Sequence, residues 1–157
     1  MRKTKIKEKR IKITIQALTS NTFIPSRYFL QRWVNKALSK QVGTNAVNIR
    51  LVSKKESAAL NSTYRHKNGP TNILSFPFEP PPGVSSAFLG DLVICAPLVN
   101  QQAKQQAKTP LTHWAHLVIH GCLHLIGYDH VHDKDATKME TLEIQLLEDL
   151  GYENPYI

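Results

Sequence analysis

The chain has 157 residues, 41% of them hydrophobic and 20% charged, the make-up of one ordinary globular domain with enough apolar material to bury a core. No apolar run approaches the ~20 residues that a membrane span needs, and the start lacks the apolar stretch of a signal peptide, which points to the cytoplasm. The net charge of +8 invites a polyanion as partner, but residues 1–12 carry seven Lys or Arg against one Glu, while the rest of the chain carries 13 basic against 11 acidic groups. Residues 1–10 therefore read as a basic tail, 11–157 as a single domain, and the charge alone argues only weakly for nucleic acid.

In chain order, Ile11, Ile13 and Ile15 alternate with polar residues, the period of a half-buried strand. Phe29, Leu30, Trp33, Val34, Ala37 and Leu38 recur at helical spacing from Ser26 to about Gln41. Val47, Ile49 and Leu51 mark a second strand, and Ser53 with Glu56 forms a capping box that opens a helix through Tyr64. Ile73 to Phe76 predicts a short strand, and the four prolines between Pro77 and Gly83 predict a loop. Leu89 to Ala96 predicts a central strand broken by Gly90 and Asp91, followed by a Gln-rich helix from Pro97 to Lys108. Pro110 sits just inside another helix that runs to about Ile126 and ends at Gly127; a last helix spans about Asp133 to Leu150. Strands mixed with helices give an α/β (α+β-like) domain with a small, roughly four-stranded mixed sheet and about five helices. Cys95 and Cys122, both in apolar runs, read as buried reduced thiols rather than a disulfide.

Five of the seven histidines fall between positions 113 and 130. His120 and His124 are one helical turn apart on one face, so two imidazole nitrogens can reach one ion. Gly127 lets the chain reverse, and His130 can swing back to the same point. Three neutral nitrogen ligands leave a fourth tetrahedral position for water, which is the arrangement of a catalytic zinc site. Cys122 points away from both helical histidines. The spacing is shared with the metzincin proteases, but their general-base Glu is here Gly121, which disfavours peptide hydrolysis. His116, a further turn back, and His113 near it could orient a ligand, carry protons, or simply pack as neutral rings. Asp129 could act as a base or form an Asx turn, and His132 reads as part of a solvated loop.

The stretch His120-Gly-x-Leu-His124-Leu-x-Gly127-Tyr128-Asp129-His130 resembles the hallmark of the YbeY family, zinc-dependent endoribonucleases of ribosomal RNA maturation. Leu60-Asn61-x-x-Tyr64-Arg65-x-Lys67, Pro70 to Pro77, Leu89 to Ile94 and Leu150 to Tyr156 resemble further blocks of that family, in order, over roughly residues 50 to 156. The resemblance implies a zinc at the three histidines and single-strand-specific cleavage of RNA, by activated water or by the 2′-hydroxyl. It also implies a place in 16S rRNA 3′-end processing and ribosome quality control, with the small ribosomal subunit and its assembly factors as partners. Arg65 matches the family's functionally important arginine. Its guanidinium fork suits a phosphate, although an arginine there could also merely serve the helix C-terminus. The rival readings are a non-catalytic assembly factor braced by zinc, and a zinc protease without its usual Glu.

Overall fold

A computed structural model describes residues 11–129 and 131–157. Four strands, β1 (Lys12–Ala17), β2 (Ala46–Val52), β3 (Ile73–Pro77) and β4 (Phe88–Cys95), form one mixed sheet in the order β1-β2-β4-β3. β1 and β4 both run parallel to β2, and β3 is an antiparallel edge on β4. Five helices accompany it: α1 (Arg27–Ala37), α2 (Lys54–Arg65), α3 (Ala96–Gln105), α4 (Pro110–Leu125) and α5 (Asp133–Asp149). This is the single α+β domain that the element order predicts. No helix among the described residues is long and apolar enough to cross a membrane.

The alternation along the strands divides the core in two. Val47, Ile49, Leu51, Leu92 and Ile94 join the large cluster with Leu30, Trp33, Trp114, Val118, Ile119 and Leu123 of α1 and α4. Val93, Cys95, Val52 and Leu74 turn to the other face and make a small cluster with Leu60 of α2. α4 touches α1, α3, α5, β3 and β4, so it lies at the centre of the larger layer. Both cysteines are buried and unbridged, and burial alone pushes the Cys122 thiol up to about 12.

Four local expectations need correction. α1 stops at Ala37 because the chain turns at Leu38, whose carbonyl accepts from the Gln41 amide at 3.1 Å. α3 stops at Gln105, since Ala107 takes a left-handed φ of 54° and the Lys108 amide closes back on the Ala103 carbonyl at 2.9 Å. Only half of the capping box forms: Ser53 accepts from the Glu56 amide, while the Glu56 carboxylate pairs with Arg50 at 2.8 Å. β4 is continuous through Gly90 and Asp91, with its irregularity confined to a register shift where Val47 meets Gly90. Gly90 is required there. A Cβ would stand 2.3 Å from the Phe76 carbonyl oxygen, and its φ is 146°.

Candidate metal centre and cleft

α4 begins cleanly. Thr109 caps it by accepting from the Thr112 amide at 3.2 Å, and Pro110 occupies the first turn, where a missing N–H costs nothing. From His113 to Leu125 every residue is buried except His116, His120 and His124. These three sit at four-residue spacing, so they form the one stripe of this stretch that reaches solvent.

The end of α4 sets His124. Gly127, at φ 99°, ends the helix in a Schellman motif: its amide donates to the His124 carbonyl at 3.1 Å and the Tyr128 amide to the Leu123 carbonyl at 3.0 Å. That turn brings the Tyr128 carbonyl to His124 Nδ1 at 2.9 Å. In the neutral ring the proton therefore sits on Nδ1, and Nε2 is the nitrogen with the lone pair. His120 is set likewise, with Nδ1 against the Glu143 carboxylate. The two Nε2 atoms face each other at 3.0 Å. Two ligand nitrogens sharing one tetrahedral zinc at ~2.0–2.1 Å stand ~3.4 Å apart, so this pair is close to the spacing a shared ion needs.

Glu143 is the group that sequence reasoning missed. It lies on α5 between Met139 and Leu147, fully buried. One carboxylate oxygen meets His120 Nδ1; the other meets the Tyr156 hydroxyl and, at 3.3 Å, His116 Nε2. Burial by itself would raise its pKa, but the hydrogen bonds from His116 and His120, the electrostatic pull of His120 and the Tyr156 hydroxyl outweigh it and hold the carboxyl at about 2. Burial first, and then Glu143, push the Tyr156 phenol above its ordinary value. His116, His120 and Glu143 each bring a ligand atom within 4.8 Å of the others, a set that could hold a cation. It shares His120 with the Nε2 pair. The signal for Glu143 was present in the sequence as a lone acid in the apolar stripe of the last helix.

The facing wall is built from α2 and β3. Ser57 Oγ donates to the Thr71 carbonyl at 2.8 Å and accepts from the Thr71 amide at 3.0 Å, and Asn61 donates to the Gly69 carbonyl at 2.9 Å. These buried groups fasten residues 66–72 to α2. Arg65, the last residue of α2, donates to the Ser75 carbonyl at 3.0 Å and lies 5.2 Å over the Phe76 ring. Between the walls runs a cleft of about 720 Å³ lined by Arg65, Lys67, Ser75, His116, His120, His124, Asp129 and Tyr156.

The structure thus brings Arg65, His116, His120, His124 and Asp129 to one cleft. Asp129 does form an Asx turn, accepting from the Val131 amide at 3.1 Å. His130 and the basic tail lie outside the described residues. His113 does not join the site: it is buried, and its Nε2 meets Gln102 Oε1 at 3.2 Å. His132 is exposed at the start of α5. Gly121 has a steric reason as well as a chemical consequence. A Cβ would come within 2.7 Å of Ile73 Cδ1 and 2.9 Å of Leu92 Cδ2, so this side of α4 packs on the sheet and has no room for a protease's Glu.

Fold and cleft together define an α+β domain whose histidine stripe could bind a cation opposite an arginine. The chain belongs to the YbeY family, matching the family described as Endoribonuclease YbeY over residues 5–151. That family consists of hydrolases that cut RNA in ribosomal RNA processing. The chain is also similar to TM1509 from Thermotoga maritima, known from a solution structure. The two are 27% identical, with a TM-score of 0.55, over 88% of this chain and 92% of that one.

Proposed function

We propose that residues 11–157 form a zinc-dependent, single-strand-specific endoribonuclease domain, with residues 1–10 as a basic tail. It would act in the cytoplasm, in 16S rRNA 3′-end maturation and late-stage quality control of the small ribosomal subunit, alongside that subunit's assembly factors. Family membership supports the RNA chemistry. The observation that carries the metal is the pair of lone-pair nitrogens on His120 and His124, 3.0 Å apart on the floor of a cleft walled by Arg65. His120, His124 and His130 would hold the ion. Zinc, when bound, supplies a Lewis acid that acidifies water or polarises a phosphoryl oxygen.

The chain's own groups do the rest. Arg65 keeps a five-donor fork, only partly used by the Ser75 carbonyl, and so can offset charge that builds on a phosphate. The walls would set the phosphodiester between that guanidinium and the histidines. His116 and Asp129 line the same cleft and would take up or deliver protons.

The test compares wild type, His124→Ala and Arg65→Glu on an RNA fragment carrying the 3′ region of 16S rRNA. The reading expects zinc-dependent cutting at single-stranded positions by wild type and background cutting by both variants. Equal cleavage by all three sinks the nuclease assignment. Zinc binding by wild type without any cleavage leaves a zinc-braced assembly factor instead. Mass spectrometry of the ends separates the two attacks, since a cyclic phosphate marks the 2′-hydroxyl route.

A further inference from the structure

A fully buried carboxylate is costly unless its oxygens are well paired, and an apolar side chain between Met139 and Leu147 would fill the same space without that cost. The fold of α5 therefore gives no reason for Glu143, but its partners do. His120 Nδ1 takes one carboxylate oxygen, and Tyr156 and His116 take the other. Neither oxygen is among the buried polar atoms left without a partner.

We infer that Glu143, braced from behind by the Tyr156 hydroxyl, is the positioning residue of the metal centre. The inference rests on the zinc reading above. The carboxylate accepts the Nδ1 proton of His120, which fixes the tautomer and turns Nε2 towards His124. The Tyr156 hydroxyl and His116 occupy the second oxygen, so the carboxylate is tied down and stays behind the ring rather than becoming a ligand. Its position agrees: Glu143 does not line the cleft, whereas His116, His120, His124 and Tyr156 do. Tyr156 reaches the network from the C-terminal segment. That segment is itself pinned by Lys108 Nζ donating to the Pro155 carbonyl at 3.0 Å and by Trp33 Nε1 donating to the Tyr152 hydroxyl at 3.2 Å. The last turns of the chain thus act on the centre through two intermediaries, the carboxylate and the imidazole.

The experiment measures zinc affinity of the full-length, metal-stripped protein by competition with a chromogenic chelator. The cobalt-loaded absorption spectrum reports the ligand set, and thermal unfolding of the metal-free form reports the fold. Glu143→Gln should weaken zinc about 10–100-fold while keeping the wild-type cobalt spectrum, and Tyr156→Phe should weaken it by a smaller factor. His124→Ala should lose far more affinity and alter the spectrum. Wild-type affinity in folded Glu143→Gln overturns the inference, and so does a cobalt spectrum disturbed as much as in His124→Ala, which would make Glu143 a ligand. If Glu143→Gln does not fold, Tyr156→Phe decides: weaker zinc at unchanged thermal stability supports the role, and wild-type affinity rejects it. His124→Ala binding zinc like wild type would instead refute the metal reading itself.

Discussion

The two walls of the cleft are held by different means. The α4 wall rests on the large core, buried almost all round, and its three histidines emerge through a stripe one residue wide. The α2–β3 wall covers the small cluster around Leu74 and Val93 and meets the large core through Ile73, and Arg65, the residue proposed to meet the phosphate, is exposed at a helix end. Ligand nitrogens must keep fixed mutual distances, and a close-packed interior supplies that rigidity. A guanidinium that is to meet a phosphate, as proposed for Arg65, needs reach and tolerates an exposed rim, and on this wall Ser57 and Asn61 tie residues 66–72 to α2.

This contrast can be broken most sharply by activity. Arg65→Glu should cut cleavage by about 10²–10³-fold, the scale of losing a preorganised electrostatic donor, while zinc content stays at one per chain. His124→Ala should lose both together. If Arg65→Glu also loses its zinc, the walls are not independent.

Next in size come the glycines. Gly90→Ala puts a methyl against a backbone oxygen at a disfavoured φ and should lose on the order of 3 kcal/mol in chemical denaturation. Gly121→Ala meets only side-chain ends and should lose about 1–2 kcal/mol, towards the low end of overpacking. The reverse order would mean that α4 yields less than the β3 edge does.

Ser57→Ala strips both partners from Thr71 and should cost about 1–3 kcal/mol. Because residues 66–72 would loosen, KM for RNA should rise while zinc affinity holds.

The gentlest effect is a pH slope. Burial, followed by the neighbouring His116 and Lys108, holds the His113 pKa down at about 4 against 6.5 when unfolded. Between those values the unfolded chain binds more protons, so this contribution to stability is complete above 6.5 and declines as the pH falls towards 4. Thermal unfolding of metal-free protein should show a shallower slope in His113→Gln; an unchanged slope would assign the titration elsewhere.

Much of this was legible from local pattern. The strand periods, the Pro110 start, the Gly127 stop and the shared face of His120 and His124 are short-range properties, and all of them appear in the structure. Arg65 could be placed on its helix, but not across a cleft from the histidines, because that relation depends on β3 pairing with β4. Glu143 and Tyr156 escaped for a similar reason. An acid inside an apolar stripe only makes sense once another helix supplies its partners, and those partners are 23 and 27 residues away along the chain. The helix ends at Ala37 and Gln105 were misjudged because a left-handed Ala107 and the turn at Leu38 have no side-chain signature.

The acceptors behind the two histidines differ in kind, and so does their exposure to mutation. His120 depends on a side chain of a distant helix, which one nucleotide change can remove. His124 depends on the main-chain carbonyl of Tyr128, which no substitution at that position deletes. Its orientation is encoded by the helix ending at Gly127, so it would travel with this short segment into a relative or a graft, whereas the aim of His120 must be rebuilt in each new host.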